Sequence, residues 1–121
     1  MEEESIINWK LFDDLLKDFP DDFQGILCDF LHELTPRLDT MRQCSDAGDY
    51  KAVAIDAHRL KGVIGNLGFH GLWSLMGSVE TLSEQGEAAF PDSKLTELRL
   101  LLDRSLDVIS KVHPELVKGL R

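Results

Sequence analysis

Apolar residues return at steps of three and four along most of this chain. No stretch bounded by turn residues alternates apolar with polar. The first pattern predicts helices with one buried stripe, and the lack of the second leaves no strand to predict. The first stripe is short: Trp9, Phe12, Leu15, Leu16 and Phe19, with Asn8 in front as an N-cap. Pro20 then ends that helix or opens the next. The second stripe is Phe23, Leu27, Phe30, Leu31, Leu34, Leu38 and Met41. Asp21 and Asp22 suit its start, where the helix dipole favours negative charge. Pro36 falls inside this helix and removes one backbone donor, which predicts a kink there, bending the outer side.

Ser45 to Asp49, SDAGD, reads as a turn. The third stripe, Val53, Ala57, Leu60, Ile64 and Leu67, alternates steps of four and three like a bundle seam, and Gly68 fits the C′ position. After a tight bend comes Leu72, Leu75, Met76, Val79 and Leu82. EQGEAAFPDS is the next loop, and the fifth stripe is Leu95, Leu98, Leu102, Leu106, Ile109 and Val112, ending near Pro114. A weak extra turn is expected from Glu115. The helices therefore fall at about 8–18, 21–44, 49–67, 70–84 and 92–112. The expected fold is all-α: an antiparallel up-and-down four-helix bundle, with the short extra N-terminal helix capping one end. Residues 1–121 are expected to form a single domain without internal repeats.

Charge narrows the partners. The net charge of −9 argues against a nucleic-acid backbone, which needs clustered Lys and Arg, and against an anionic membrane surface. Protein partners are expected instead, and the chain itself is expected to be a monomer. No apolar run reaches transmembrane length, and the acidic start MEEESIINW is not a signal peptide. Cys28 and Cys44 on one helix would lie about 24 Å apart, too far for a disulfide. Reduced thiols and no export signal predict the cytoplasm. The start at Met1 favours a free-standing protein over a domain cut from a larger one.

The third helix holds AHRLKGVIGNLG, with glycines at 62, 65 and 68. On a helical wheel His58 points about 140° away from the centre of the buried stripe, so it is exposed. Gly62 and Gly65 follow on that outer direction, with Lys61 on one flank and Arg59 adjacent. An exposed helical histidine ordinarily has no role. Glycine, however, weakens a helix by roughly 0.5–1 kcal/mol relative to Ala, Glu or Lys, and a solvated face has no packing reason for it. The loss makes sense if another protein must approach His58. Gly62, Gly65 and Arg59 are therefore expected at a docking surface, whereas Gly68 only ends the helix.

An imidazole is a nucleophile that can accept a phosphoryl group and surrender it again. Lys61, three residues on, reaches the same region and can meet phosphoryl charge or a partner's carboxylate. No phosphate-cradling loop follows a strand, and no acidic cluster for Mg²⁺ flanks His58. The chain is thus read as an acceptor without donor-activating machinery, not as an enzyme, and it is expected to bind no cofactor.

AHRLKGVIGNLG resembles the signature of histidine-containing phosphotransfer (HPt) domains: His58, Leu60, Lys61, Gly62, Leu67 and Gly68 fit its His-x-Leu-Lys-Gly and Leu-Gly elements. Leu72, Leu75 and the Val79-Glu80 pair fit the next helix of that family, and FLHELTPRLDTMRQCSDAGDYKAV looks like the preceding one. The resemblance spans about residues 20 to 112 and implies a His–Asp phosphorelay. His58 would carry the phosphoryl group between receiver-domain aspartates. The partner would be a response-regulator receiver domain or a hybrid histidine kinase, and the receiver would supply the aspartate and the Mg²⁺. Many members have small polar residues directly after Lys-Gly. Here Val63 and Ile64 stand there, Ile64 in the core stripe and Val63 packed on its shoulder.

Two other readings compete. One is a helical interaction module that binds a receiver or kinase without being phosphorylated. The other is a metal-binding bundle, for which Asp29-x-x-His32 has suitable i,i+3 spacing, but a di-metal bundle needs two such pairs plus two inward carboxylates. His70 falls in the bend after Gly68, and His113 at a helix end, where a cation suits the dipole.

Overall fold

A computed structural model describes residues 6–86, 92–118 and 120. The described residues are helical, with no strand among them. Six helices can be delimited among the described residues: α1 (Trp9–Asp18), α2 (Phe23–Asp46), α3 (Tyr50–Asn66), α4 (His70–Glu84), α5 (Asp92–Val112) and α6 (Pro114–Val117). Most of the EQGEAAFPDS loop lies outside the described residues.

Local chemistry sets several of these ends. Asn8 Oδ1 accepts from Leu11 N at 3.2 Å, and Asp49 Oδ1 accepts from Ala52 N at 3.2 Å, so both satisfy free amides of a first turn. Gly68 adopts φ +86°, a left-handed conformation that side chains rarely take. Phe69 N donates to Ile64 O at 3.2 Å, and Gly68 N donates to Gly65 O at 3.1 Å. With Ile64 and Phe69 both buried, this is a Schellman closure of α3. α2 continues through Pro36 without ending, and Pro36 lies on its exposed side.

The stripes form the core. All seven α2 stripe residues are buried, as are Val53, Ala57, Leu60 and Ile64 of α3, and Leu72, Met76 and Val79 of α4. Leu67, Leu75, Leu82 and Leu102 pack on the core only partly buried, and Val112 is exposed. Ile6 and Ile7, in front of the first helix and outside any stripe, are fully buried, whereas Phe19 is exposed.

α1 closes one end. Phe12 packs against Phe23 at the start of α2, with ring centroids 4.9 Å apart, and against His113 after α5, at 6.1 Å. Asn8 N donates to Gly68 O at 2.8 Å, tying the same segment to the end of α3. On the far flank, Arg99 of α5 pairs with Asp39 of α2 at 2.7 Å, and Gln24 reaches the carbonyls of Glu115 and Lys118. α2 and α5 therefore run in opposite directions.

Candidate functional site

The site lies where α3 meets α4, the most extensively packed helix pair. Three residues of α3 at i, i+3 and i+7 (His58, Lys61 and Gly65) share one flank. Three residues of α4 at i, i+4 and i+7 (Trp73, Gly77 and Glu80) face them. His58 meets Glu80, the Lys61 stem passes Gly77, and Gly65 meets Trp73. Position rises along one helix as it falls along the other, so the two run antiparallel.

His58 is on the outside, its side chain 74% exposed. Its Nδ1 lies 2.7 Å from Glu80 Oε2. Lys61 Nζ donates to the other carboxylate oxygen at 3.2 Å. Glu80 itself is only 12% exposed. Burial pushes its pKa up, but the hydrogen bonds and charges of Lys61 and His58 outweigh that and bring it below the usual glutamate value. An ionised carboxylate only accepts, so His58 Nδ1 carries the proton of this bond. The neutral ring then keeps its lone pair on Nε2.

Lys61 is less free than its place on the wheel implied. Its side chain is 30% exposed, and its ammonium lies 5.6 Å from the centroid of the Trp73 ring. Arg59 is exposed and, with Ala54, Ile55, His58, Glu80 and Glu84, lines a shallow recess beside the imidazole.

The glycines divide differently from the sequence expectation. A Cβ at Gly62 would meet nothing within 4 Å, so that surface is open, as an approaching partner would need. A Cβ at Gly65 would stand 2.8 Å from Trp73 Cδ1. Gly65 is bare because the indole of its own chain occupies the space, so its missing side chain has a cause within the fold. Val63 is a correction: it is 45% exposed rather than packed on the shoulder of the core, while Ile64 is buried.

The family model of the Hpt domain matches residues 25–108, from the first turn of α2 to the later part of α5. The chain belongs to the Hpt domain family. No curated protein and no solved structure matches it. An Hpt domain is a histidine-containing phosphotransfer module of phosphorelays, a phosphocarrier rather than an enzyme in itself, and it works with receiver domains and kinases. In this Hpt domain α1 and α6 lie outside the matched span.

Of the remaining histidines, His32 and His113 make their contacts away from His58, and His70 borders the Trp73 side of the candidate site. Asp29 and His32 are exposed on α2, where His32 Nδ1 lies 4.0 Å from Cys28 Sγ. Among the described residues no three His, Cys, Asp or Glu side chains gather as a metal-ligand set. His70 is the first residue of α4 and stacks on Trp73, with centroids 5.6 Å apart. His113 lies between Asp13, at 3.3 Å, and Glu115, at 3.5 Å. Cys28 and Cys44 are free thiols on the one helix, and no helix among the described residues is long and apolar enough to cross a membrane.

Sequence reasoning matched Glu80 to a family position but gave it no role. One signal was available: Glu80 follows buried Met76 by four positions, so it stands on the flank of the core stripe, an unusual place for a lone carboxylate.

Proposed function

We propose that this Hpt domain carries a phosphoryl group on Nε2 of His58, taken from an aspartyl phosphate on a receiver domain and handed on to another. The observation that carries this reading is an exposed imidazole whose Nδ1 is held at 2.7 Å by a partly buried carboxylate. That bond fixes the tautomer and leaves Nε2 as the nucleophile. The Nε2 lone pair attacks phosphorus, and the bond between phosphorus and the aspartate oxygen breaks. The aspartate leaves with the bonding pair, and Nδ1 keeps its proton throughout. Positive charge grows on the ring as the new bond forms, and Glu80 already lies beside it.

Lys61 holds Glu80 in place and brings an ammonium near the phosphoryl oxygens. Gly62 and Arg59 belong to the surface that receives the partner. The partner supplies the aspartate and the Mg²⁺. The helices α2 to α5 are read as an up-and-down four-helix bundle. The short links at 47–49 and 67–69, and the meeting of three helix ends at α1, support that arrangement. The free, separated thiols support a reducing compartment, the cytoplasm.

A phosphorylated cognate receiver domain tests the reading. It should pass phosphate to this chain, in an acid-labile and alkali-stable linkage. His58→Gln should abolish labelling while circular dichroism stays helical. Labelling that persists in that variant refutes the assignment.

A further inference from the structure

The tryptophan beside the site has a placement that core packing does not explain. Trp73 is 40% exposed, yet the Cδ1 edge of its indole abuts α3 in a position that only glycine at 65 permits. A methyl group there would sit 2.8 Å from Cδ1 and 3.3 Å from Nε1. The ring's other neighbours are the Lys61 ammonium, 5.6 Å from its centroid, and the stacked His70. A second glycine bears on the same lysine: a Cβ at Gly77 would lie 3.6 Å from Lys61 Cδ. A long, flexible side chain thus runs beside an aromatic face and past a bare position on α4, and its ammonium pairs with Glu80. Immobilising a lysine costs rotamer entropy, so its bond to a carboxylate is stronger when other contacts already confine it.

We propose that Trp73 is a positioning residue: seated on Gly65, its indole holds the Lys61 ammonium on Glu80 Oε1 and thereby keeps the Glu80 carboxylate aligned on His58 Nδ1. The chain of contacts runs Gly65, Trp73, Lys61, Glu80, His58, and Gly65 and Trp73 touch none of the reacting atoms. A lysine face on tryptophan is an electrostatic attraction to the ring quadrupole, which an aliphatic side chain does not provide. This inference rests on the phosphocarrier reading for its functional consequence, but the alignment it describes exists in the free protein.

The experiment compares the intact chain with Trp73→Leu, Trp73→Phe and Gly65→Ala. Three quantities are read: the ¹⁵N shifts of the His58 ring, the pH titration of the Glu80 side-chain carboxyl by ¹³C NMR, and the rate of phosphate uptake from a phosphorylated receiver. In Trp73→Leu the Glu80 titration should move up towards the ordinary glutamate value, and the Nδ1–H tautomer of His58 should lose population. Uptake should slow by about two- to fivefold, the size of an exposed cation–π contact. Trp73→Phe keeps a ring face and should recover most of each change. Gly65→Ala should displace the indole and reproduce the leucine variant.

Identical Glu80 and His58 spectra in Trp73→Leu and the parent overturn the proposal. So does a phenylalanine variant as impaired as the leucine one. If the parent chain takes no phosphate on His58, the phosphocarrier reading fails, while the spectra still decide whether Trp73 aligns Glu80. A leucine variant that unfolds leaves the decision to Gly65→Ala, where unmoved spectra overturn the proposal equally.

Discussion

Glu80→Gln keeps the side-chain shape and one carbonyl acceptor and removes the charge. In the parent, Oε2 accepts from His58 at 2.7 Å and Oε1 from Lys61 at 3.2 Å. Hydrogen bonds to charged groups contribute about 1.5–3 kcal/mol, against about 0.5–1.5 for neutral pairs. Replacing the anion should therefore cost the increasingly cationic transition state about 1–1.5 kcal/mol. Because the imidazole is 74% exposed, water screens part of this, which favours the lower end. The expected result is a five- to tenfold slower transfer, by the relation of about 1.4 kcal/mol per decade. Single-turnover transfer from a saturating phosphorylated receiver, at neutral pH, measures it. A rate for Glu80→Gln within about twofold of the parent refutes the role given to the carboxylate. The same variant has a stability signature. The folded-state pKa of Glu80 lies below its ordinary value of 4.5. The resulting stabilisation is complete above that value and is lost as pH falls through the lower, folded one. Urea midpoints should show the parent's advantage over Glu80→Gln shrinking on acidification below pH 4.5, and a pH-independent difference contradicts the pairing.

Two further substitutions separate the glycines. The Cβ of Gly62→Gln would meet nothing within 4 Å, so the variant should stabilise the helix by about 0.5–1 kcal/mol and raise Tm while slowing phosphotransfer severalfold; unchanged transfer refutes the docking role. Gly68→Ala forces a side chain to φ +86° and to 3.2 Å from Asn8 O. It should lower stability in urea by about 2 kcal/mol, and a loss under about 0.5 kcal/mol contradicts the strained closure of α3.

What the sequence revealed depended on whether the cause lay within one helix. The α2 stripe is complete because each of its seven residues faces the same core along one continuous helix, and periodicity reports that directly. Asn8 and Gly68 were legible for a similar reason: caps act over three or four residues. Ile6 and Ile7 escaped because two adjacent residues carry no period, and their burial in the core is set by tertiary packing. The site split the same way. His58, Lys61 and Gly62 share one exposed face of one helix and could be found on a wheel. Glu80 and Trp73 could not, because their roles exist only once α4 lies antiparallel on α3. Gly65 was assigned to the docking surface for that reason: the wheel placed it on the His58 face but could not show the indole already there. The exposed Val63 belongs with it, since a wheel gives direction but not how far the neighbouring helix reaches.

The central claim is that Nε2 of His58 holds the phosphoryl group because Glu80 holds the proton on Nδ1. The direct measurement is ¹⁵N and ³¹P NMR of the uniformly ¹⁵N-labelled chain after phosphorylation by a receiver domain. One phosphohistidine is expected, on His58, with phosphorus bonded to Nε2 and the proton retained on Nδ1. Phosphate on Nδ1 of His58, or on any of His32, His70 and His113, would contradict it.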